Sequence, residues 1–398
     1  MQFSARMGRV ATSASTLAAQ RAREMKATGA DIVSLTTGEP DFPTPDHVIE
    51  AAFRAARAGQ TKYTTVSGTV ELKAAIIAKF HRDNGLDYEP ANIIIGNGGK
   101  QVLFNALMAT VEAGVEVIVP APYWISYPEI VQLAGGTPRI VPCTAATGFK
   151  LTAAALEAAI TPATRWLVLN SPSNPSGATY TAAELGHLAE VLLRSPHVAI
   201  LSDDIYEHIL FDGRQFATMA AVCPELKSRT LTVNGVSKTY AKTGWRLGFA
   251  GGPVPLIREM TKMLSQSTSA PSSISQAAAV AALTGPQALI AENQRSFEAR
   301  RDLAVGMLNQ AKGLTCRSPE GAFYAFPDCS RLIGKTTPNG QVLATDRDVV
   351  IFLLEQGVAA VQGDAYGLSP HFRISFATST EQLTEACRRI QRACAALR

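Results

Sequence analysis

The chain has 398 residues, of which 46% are apolar and 18% are charged, so it can bury a large core in about two or three domains. This composition excludes a disordered chain, a collagen-like chain and a disulfide-rich scaffold as descriptions of the whole molecule. The 37 basic and 33 acidic residues leave a net charge of +4, which is too dilute to indicate a nucleic-acid partner.

The N-terminal segment is basic, because Arg6, Arg9, Arg21 and Arg23 all precede the first acidic residue, Glu24. This pattern faintly resembles a transit peptide, and it equally fits a basic first helix of the mature protein. We favour the helix, because residues from about 13 onward fit the family pattern described below and no apolar segment of a secretory signal precedes them. A cytoplasmic location is therefore the default expectation.

The middle of the chain alternates short apolar segments with stretches of helical periodicity. Short continuous apolar strands separated by helices are typical of an α/β fold with a mostly parallel sheet covered on both faces. Sheets of this kind bind ligands at the carboxyl ends of their strands. The sequence predicts helices at 102–111 and 123–133, and strands at 92–95, 116–119, 137–141, 166–170, 197–202, 230–234 and 246–250.

The last third of the chain has a different pattern. It predicts a long polar helix at 285–308, strands of a second, smaller sheet at 322–326, 358–361 and 372–377, and a terminal helix at 381–397. We therefore expect a large α/β domain inserted into a smaller α+β domain that both chain ends build. The expected division is an N-terminal arm and part of the small domain at 1–40, the large domain at 41–295, and the C-terminal small domain at 296–398.

Cysteine spacing and hydropathy exclude two further classes. None of the six cysteines is spaced as CxxC, so we expect free thiols and neither a metal site nor a thioredoxin-like motif. The longest apolar run, at 277–283, is far shorter than the roughly 20 residues that span a bilayer, so no membrane partner is expected.

The pair Ser237 and Lys238 directly follows a predicted strand, and Arg246 comes eight residues after the lysine. Serine and arginine are good phosphate ligands, and arginine binds phosphate through its planar fork. The neighbouring lysine could form a Schiff base with a cofactor that the phosphate anchors. The alternative is an ordinary exposed loop lysine.

A glycine-rich turn, residues 97–101, connects a strand with a helix. Backbone N–H groups of this turn, together with the helix N-terminus, could cradle a phosphate there. The turn has neither the Walker spacing nor the GxGxxG spacing, so it also fits a turn that binds nothing.

Five other residues lie at or near predicted strands and suit a ligand with a ring and a carboxylate. Asp203 could pair with a ring N–H⁺ and Tyr206 could donate to a ring oxygen, although Asp is also a common helix cap. Asn174 lies in a turn-rich loop, Trp124 could stack on a ring or belong to the core, and Arg373 could clamp a carboxylate or simply lie on an edge strand. Together these parts predict pyridoxal phosphate acting on an amino acid.

With these residues in place, the chain resembles the class I/II, fold-type I aminotransferases over nearly its whole length. It is most similar to the bacterial aspartate aminotransferase subgroup Ib. The resemblance implies a mostly parallel sheet of the seven-stranded type in a large domain that binds pyridoxal 5'-phosphate. The segments that carry it are 37–42, 61–63, 98–101, 122–128, 170–177, 202–207, 234–238, 244–246 and 373–375.

The resemblance implies roles around the cofactor ring. Lys238 would be the Schiff-base lysine and then the acid and base that moves a proton. Asp203 would pair with the pyridinium nitrogen, Tyr206 and Asn174 would hydrogen-bond the ring oxygen, and Trp124 would stack near the ring.

It also implies how the phosphate is held. Gly99 and Lys100 would bind it through backbone N–H groups, and Ser237 and Arg246 through their side chains. Tyr63 would reach the phosphate of a neighbouring subunit, which makes a homodimer with shared active sites the expected active unit.

On the substrate side, the resemblance assigns the α-carboxylate to Arg373, Asn174 and the backbone of Gly38. In this subgroup the Lys100 side chain reads a distal carboxylate, with a nearby hydroxyl for which Ser15 is the nearest match. The predicted reaction is therefore transamination between aspartate or glutamate and a 2-oxo acid such as 2-oxoglutarate. An aromatic or prephenate/glutamate aminotransferase of the same subgroup stays open, as does a carbon–sulfur β-lyase, because a fold does not decide which bond breaks.

The chain departs from the family pattern at three places. Lys242 stands where the family usually has Met, and its amine could lie near the phosphate loop or point to solvent. Gln362 replaces the usual Pro, and the sequence of the loop at 267–272 also differs from that of the family.

Overall fold

The computed structural model describes the whole chain, residues 1–398. Its helices are α1 (Ala14–Ala27), α2 (Asp46–Arg57), α3 (Val70–Asn84), α4 (Gly99–Thr110), α5 (Ser126–Ala134), α6 (Ala153–Ala159), α7 (Ala182–Leu193), α8 (Met219–Val222), α9 (Val254–Ser267), α10 (Ser273–Thr284), α11 (Ala288–Asn309), α12 (Asp346–Glu355) and α13 (Thr380–Ala396). Its strands are β1 (Val33–Ser34), β2 (Ile93–Gly96), β3 (Glu116–Ala121), β4 (Thr137–Pro142), β5 (Thr164–Asn170), β6 (Ala199–Asp203), β7 (Thr230–Gly235), β8 (Gly248–Gly251), β9 (Tyr324–Ala325), β10 (Val358–Ala359), β11 (Val361–Gln362) and β12 (Phe372–Ser375).

The central sheet has seven strands in the order β2-β8-β7-β6-β5-β3-β4. Every neighbouring pair from β7 to β4 is parallel, and only β8 runs antiparallel to its two neighbours. The predicted α/β fold with a mostly parallel seven-stranded sheet is confirmed.

Helices cover both faces of this sheet, which explains why its strands are continuously apolar. Successive side chains of a strand point to opposite faces. Val117 and Val119 of β3 belong to one core cluster together with α4, α5 and α9, whereas Ile118 between them belongs to a second cluster with α6 and α7. Leu201 and Ile200 of β6 divide between the same two clusters. The inner strands therefore bury both of their faces, whereas the edge strand β4 has no fully buried residue.

Two smaller sheets lie outside the central one, and both chain ends contribute to them. β1, near the N-terminus, pairs in parallel with β10, and β11, β12 and β9 form an antiparallel sheet. The segment predicted as one strand at 358–361 is in fact two, because Val358–Ala359 pairs with β1 whereas Val361–Gln362 pairs with β12. A cluster of 33 buried residues joins β9, β10 and β12 to α11, α12 and α13.

Several predicted boundaries were wrong by two or three residues, and three of these differences have a clear local reason. The helix predicted from 123 begins at Ser126, because the N–H of Tyr123 donates to the carbonyl of Tyr366 at 3.0 Å rather than starting a helix. The strand predicted from 246 begins at Gly248, because Arg246 has the left-handed φ of 54°. The long helix predicted from 285 begins only at Ala288, just after Gly285 and Pro286.

The cysteines and the helices bear on two further expectations. All six cysteines are buried and none forms a disulfide. No single helix combines the length and apolar composition of a membrane crossing, and α10 and α11 meet that requirement only when counted together across an 85° bend.

Candidate active site

A cavity of about 280 Å³ opens at the carboxyl ends of β5, β6 and β7, where a parallel sheet places its ligand site. It collects every sequence-predicted site residue except Tyr63. Those that line it are Ser15, Gly38, Gly99, Lys100, Trp124, Asn174, Asp203, Tyr206, Ser237, Lys238, Arg246 and Arg373.

Tyr63 is the one predicted residue that the cavity of its own chain lacks. It lies in the loop between α2 and α3, and 93% of its side chain is exposed. The single chain therefore leaves a large aromatic side chain uncovered, and its predicted reach to a neighbouring subunit stays a prediction.

Lys238 lies just after β7, and its Nζ donates a hydrogen bond to the carbonyl of Gly38 at 2.6 Å. Burial lowers the pKa of this amine to about 8, against the raising effect of the Glu39 charge and with Arg246 and Arg373 acting in the same direction as burial. No carboxylate forms an ion pair with it, so the amine is poised to lose its proton near neutral pH.

Asp203 ends β6, and its carboxylate is buried. Its Oδ2 accepts a hydrogen bond from the hydroxyl of Tyr127 at 2.6 Å, and the side chain of Asn170 donates to its backbone carbonyl at 2.9 Å. Burial raises the pKa of Asp203 to about 6, against the lowering effect of the Tyr127 hydrogen bond. No cation pairs with this carboxylate in the protein.

A cradle for an anion forms where α4 begins. Gly98 has a φ of 88°, and a Cβ on it would lie 2.5 Å from Nη2 of Arg246, so only glycine lets the guanidinium approach the turn. The first N–H groups of α4, at Gly99 and Lys100, have no acceptor within the helix. Ser237 lines the same cavity. A helix N-terminus beside an arginine favours a phosphate group.

Arg373 lies in β12 and is only 3% exposed. Its Nη1 donates to Oδ1 of Asn174 at 3.0 Å, its Nη2 donates to the carbonyl of Thr36 at 2.6 Å, and its Nε has no partner. The guanidinium lies over the rings of Tyr324 and Tyr366, at 4.6 and 5.2 Å from their centroids. No carboxylate of the chain pairs with this buried cation.

Tyr206 is buried one turn beyond Asp203, and its hydroxyl lies 2.7 Å from the hydroxyl of Tyr324. Burial raises the pKa of Tyr206 well above its usual value, so the hydroxyl keeps its proton and remains a donor.

On the outer side of the cavity, Nζ of Lys100 lies 4.8 Å from the ring centroid of Trp124. Lys100 as a whole residue is exposed, but partial desolvation of its amine and the nearby Arg246 lower its pKa. Ser15, near the start of α1, shares a hydrogen bond of 2.9 Å with Ser13. A cation and a hydroxyl thus line the same cavity as the arginine of β12.

Sequence reasoning missed Tyr127 and Tyr324 as site residues. Tyr127 stands inside a motif at 122–128, and Tyr324 stands in a predicted strand, but nothing in their spacing separates them from core aromatics. Their hydroxyl partners, Asp203 and Tyr206, lie 76 and 118 positions away along the chain.

The structure decides between the two interpretations of Lys242. Its side chain is 0% exposed, so the solvent-facing alternative is wrong, and it does not line the cavity. Its Nζ has no hydrogen-bond partner and lies 4.7 Å from the ring centroid of Trp245. Burial lowers the pKa of Lys242 to about 7.

The fold and this cavity together define an enzyme of the aminotransferase class. The chain belongs to the family described as aminotransferase class I and II, whose model matches residues 30–390.

Its relatives and structural neighbours agree with that family. It is 57% identical over 391 residues to a probable aspartate/prephenate aminotransferase of Rhizobium leguminosarum bv. phaseoli, covering 98% of each chain. It is 57% identical over 392 residues to the aspartate/prephenate aminotransferase of Cereibacter sphaeroides, again covering 98% of each.

Two solved structures extend this agreement to the whole fold. The crystal structure of an aspartate aminotransferase from Rhizobium meliloti superposes with a TM-score of 0.98 at 55% identity over 100% of both chains. The aspartate aminotransferase of Thermus thermophilus with maleate gives a TM-score of 0.92 at 40% identity, covering 99% of this chain and 100% of that one.

Proposed function

We propose that this aminotransferase uses pyridoxal 5'-phosphate to exchange the amino group of aspartate or glutamate with a 2-oxo acid such as 2-oxoglutarate. Relatives at 57% identity are named for aspartate and prephenate, which supports aspartate as the donor and keeps prephenate as the second candidate.

One observation carries the proposal. Lys238, Asp203 and Arg373 line a single cavity, and none of them forms an ion pair with another residue of the chain. Asp203 and Arg373 are buried and Lys238 is half-buried. A charge shielded from water without a partner is costly, so a site that holds these three is built for a ligand of complementary charge.

The residues present fit pyridoxal phosphate. Its phosphate matches the N–H groups of Gly99 and Lys100 with Arg246 and Ser237, and its ring nitrogen, when protonated, matches the unpaired carboxylate of Asp203. Its aldehyde is the electrophile that the amine of Lys238 requires. When bound, the cofactor would take up the electron density released as the substrate loses its α-proton.

The protein residues then have separate tasks. Lys238, with a pKa of about 8, can take the α-proton in its neutral form and return it to a different carbon. Asp203 would keep the ring nitrogen protonated, and Tyr127 favours the ionised form of Asp203 by donating to it at 2.6 Å. Tyr206, which retains its proton, would donate to the ring oxygen.

Substrate recognition uses the two remaining cations. Arg373, held by Asn174 and Thr36, offers a fixed fork to the α-carboxylate. Lys100, beside Trp124, offers a second positive charge to a distal carboxylate, and Ser15 a hydroxyl. Maleate, the compound named with the Thermus thermophilus structure, is a dicarboxylate, which favours a site with two cationic contacts.

Borohydride reduction tests the cofactor and its anchor. Protein purified with pyridoxal phosphate should be yellow, and peptide mapping after reduction should find the label on Lys238. A label on Lys100 or Lys242 would refute the assignment.

A single-turnover assay then tests the reaction. An aminotransferase converts its bound cofactor to the amine form on mixing with aspartate and is restored by 2-oxoglutarate. A carbon–sulfur β-lyase would instead release pyruvate and ammonia. Profiling aspartate, prephenate and phenylalanine as competing substrates separates the subgroup's specificities.

We further propose a homodimer with shared active sites. Tyr63 supports this proposal, because it is exposed and does not line the cavity of its own chain. A cytoplasmic location, the absence of nucleic-acid and membrane partners, and a domain division at residues 41 and 296 rest on the sequence pattern. Limited proteolysis, which cleaves preferentially in exposed segments between domains, would test that division.

A further inference from the structure

Tyr324 connects the two halves of the cavity. It lies in β9 with 0% of its surface exposed, its hydroxyl is 2.7 Å from that of Tyr206, and its ring centroid is 4.6 Å from Cζ of Arg373. Tyr206 belongs to the ring side of the site and Arg373 to the carboxylate side. One side chain thus contacts both.

We propose that Tyr324 is a positioning residue that tunes the cofactor through Tyr206 and supports the substrate carboxylate clamp through Arg373. The hydroxyl of Tyr324 acts on Tyr206, and the face of its aromatic ring supports Arg373. This inference rests on the proposed function, because it takes Tyr206 as the donor to the cofactor ring oxygen.

The direction of the hydrogen bond follows from counting protons. A tyrosine hydroxyl has one proton to donate and can also accept. If the proton of Tyr206 goes to the ring oxygen, the 2.7 Å contact requires Tyr324 to donate to the oxygen of Tyr206. In such a chain each bond polarises the next, so Tyr324 makes Tyr206 a stronger donor.

The Tyr324 hydroxyl lies close to the backbone of Gly38. A Cβ at position 38 would lie 2.6 Å from that hydroxyl oxygen, so the oxygen occupies the space that a side chain would need. The carbonyl of Gly38 also accepts from Nζ of Lys238 at 2.6 Å. Gly38 thus adjoins both the Tyr324 hydroxyl and the reactive lysine, and a side chain at position 38 would displace that hydroxyl.

The ring of Tyr324 supports Arg373 from one side. A guanidinium over an aromatic face is stabilised by the ring quadrupole, and more strongly where water is excluded. Because no carboxylate pairs with Arg373, its aromatic neighbours and its bonds to Asn174 and Thr36 hold its orientation before substrate binds.

A spectrophotometric pH titration of the bound cofactor tests the hydroxyl. Tyr324→Phe keeps the aromatic ring of residue 324 and removes only its hydroxyl. Tyr206 then becomes a weaker donor to the cofactor ring oxygen, and the negative form of that oxygen is less stabilised. The midpoint pH of the change in the cofactor's visible absorption band should therefore rise. A shift of roughly half a pH unit to one unit corresponds to the loss of one indirect hydrogen bond. The same variant should change KM for aspartate less than twofold.

Tyr366→Phe is the matched control, because Tyr366 is also buried against Arg373 but its hydroxyl has no hydrogen-bond partner. Its titration midpoint should equal that of the wild type. Tyr324→Leu removes the ring as well, and should raise KM for aspartate at least fivefold over the value for Tyr324→Phe.

Failure of the proposed function and failure of the Tyr324 role give different results. A wild-type protein that forms no visible cofactor band would overturn the proposed function itself. A wild-type band with a midpoint that Tyr324→Phe leaves unchanged, or that Tyr366→Phe moves equally, would overturn only the role of Tyr324. If Tyr324→Leu fails to fold, the titration of Tyr324→Phe still decides the question.

Discussion

The hydroxyl of Tyr127 donates to Oδ2 of Asp203 at 2.6 Å, and both groups are buried at the carboxyl edge of the central sheet. This bond favours the ionised carboxylate, whereas burial favours the protonated one and raises the pKa of Asp203 to about 6. The charge that the cofactor ring would need is therefore maintained by a neighbouring tyrosine.

Tyr127→Phe should lower kcat by about tenfold or more, because a hydrogen bond to a charged group contributes roughly 1.5–3 kcal/mol. The pKa of Asp203 should rise, so the acid limb of the pH profile should move to higher pH. Steady-state kinetics between pH 5 and 9 measures both effects. Asp203→Ala should lose far more activity, and a profile for Tyr127→Phe identical to that of the wild type would show that the bond has no such role.

Lys100→Met should discriminate between substrate classes. The change keeps the side-chain length and the backbone N–H but removes the charge near Trp124, so kcat/KM for aspartate should fall about 10- to 150-fold. The values for alanine and phenylalanine should change little and serve as the internal control. A uniform loss across all three would mean that Lys100 only supports the phosphate cradle, and would remove the main argument for a dicarboxylic substrate.

Lys242→Met should stabilise the protein near neutral pH. Its buried amine has no partner and a pKa lowered to about 7, whereas an unfolded lysine titrates near about 10.4. Between these values the unfolded chain binds one proton more than the folded chain, so this group's contribution to stability rises with pH. The variant should gain at least about 1 kcal/mol in unfolding free energy at pH 7, and the gain should shrink toward pH 9.5.

Urea unfolding at the two pH values measures this effect. Lys262→Met is the control, because Lys262 is an exposed helix lysine paired with Glu259 and should show no gain. An equal gain for Lys242→Met at both pH values would argue that side-chain packing, and not proton binding, causes it.

Hybrid dimers test whether Tyr63 acts across subunits. Light scattering should first give about twice the 42.2 kDa chain mass. Lys238→Ala and Tyr63→Ala proteins should each be impaired alone, but a mixed dimer should regain one working site. That site would combine Lys238 of one subunit with the Tyr63 that the Lys238→Ala subunit supplies. If mixing restores nothing, Tyr63 does not complete a neighbour's site.

The sequence was sufficient for the central sheet and for most of the cavity lining. Strands buried on both faces are continuously apolar, and chemically distinctive residues such as Lys238 and Arg246 follow or precede them at short spacings. The small sheets were less predictable, because strands of two to four residues carry too short a pattern to show where pairing changes. The segment at 358–361 was predicted as one strand for this reason.

What the sequence determined by itself was the class of fold, the family and the set of candidate residues, since these depend on local pattern and ordered motifs. Only the tertiary structure decided which hydroxyl reaches which acid, that Lys242 is buried without a partner, and that Lys238, Asp203 and Arg373 share one cavity without ion pairs. These are contacts between residues far apart in the chain. The energies of these contacts depend on burial and on distances of a few ångströms. Neither quantity can be inferred from the order of residues along the chain.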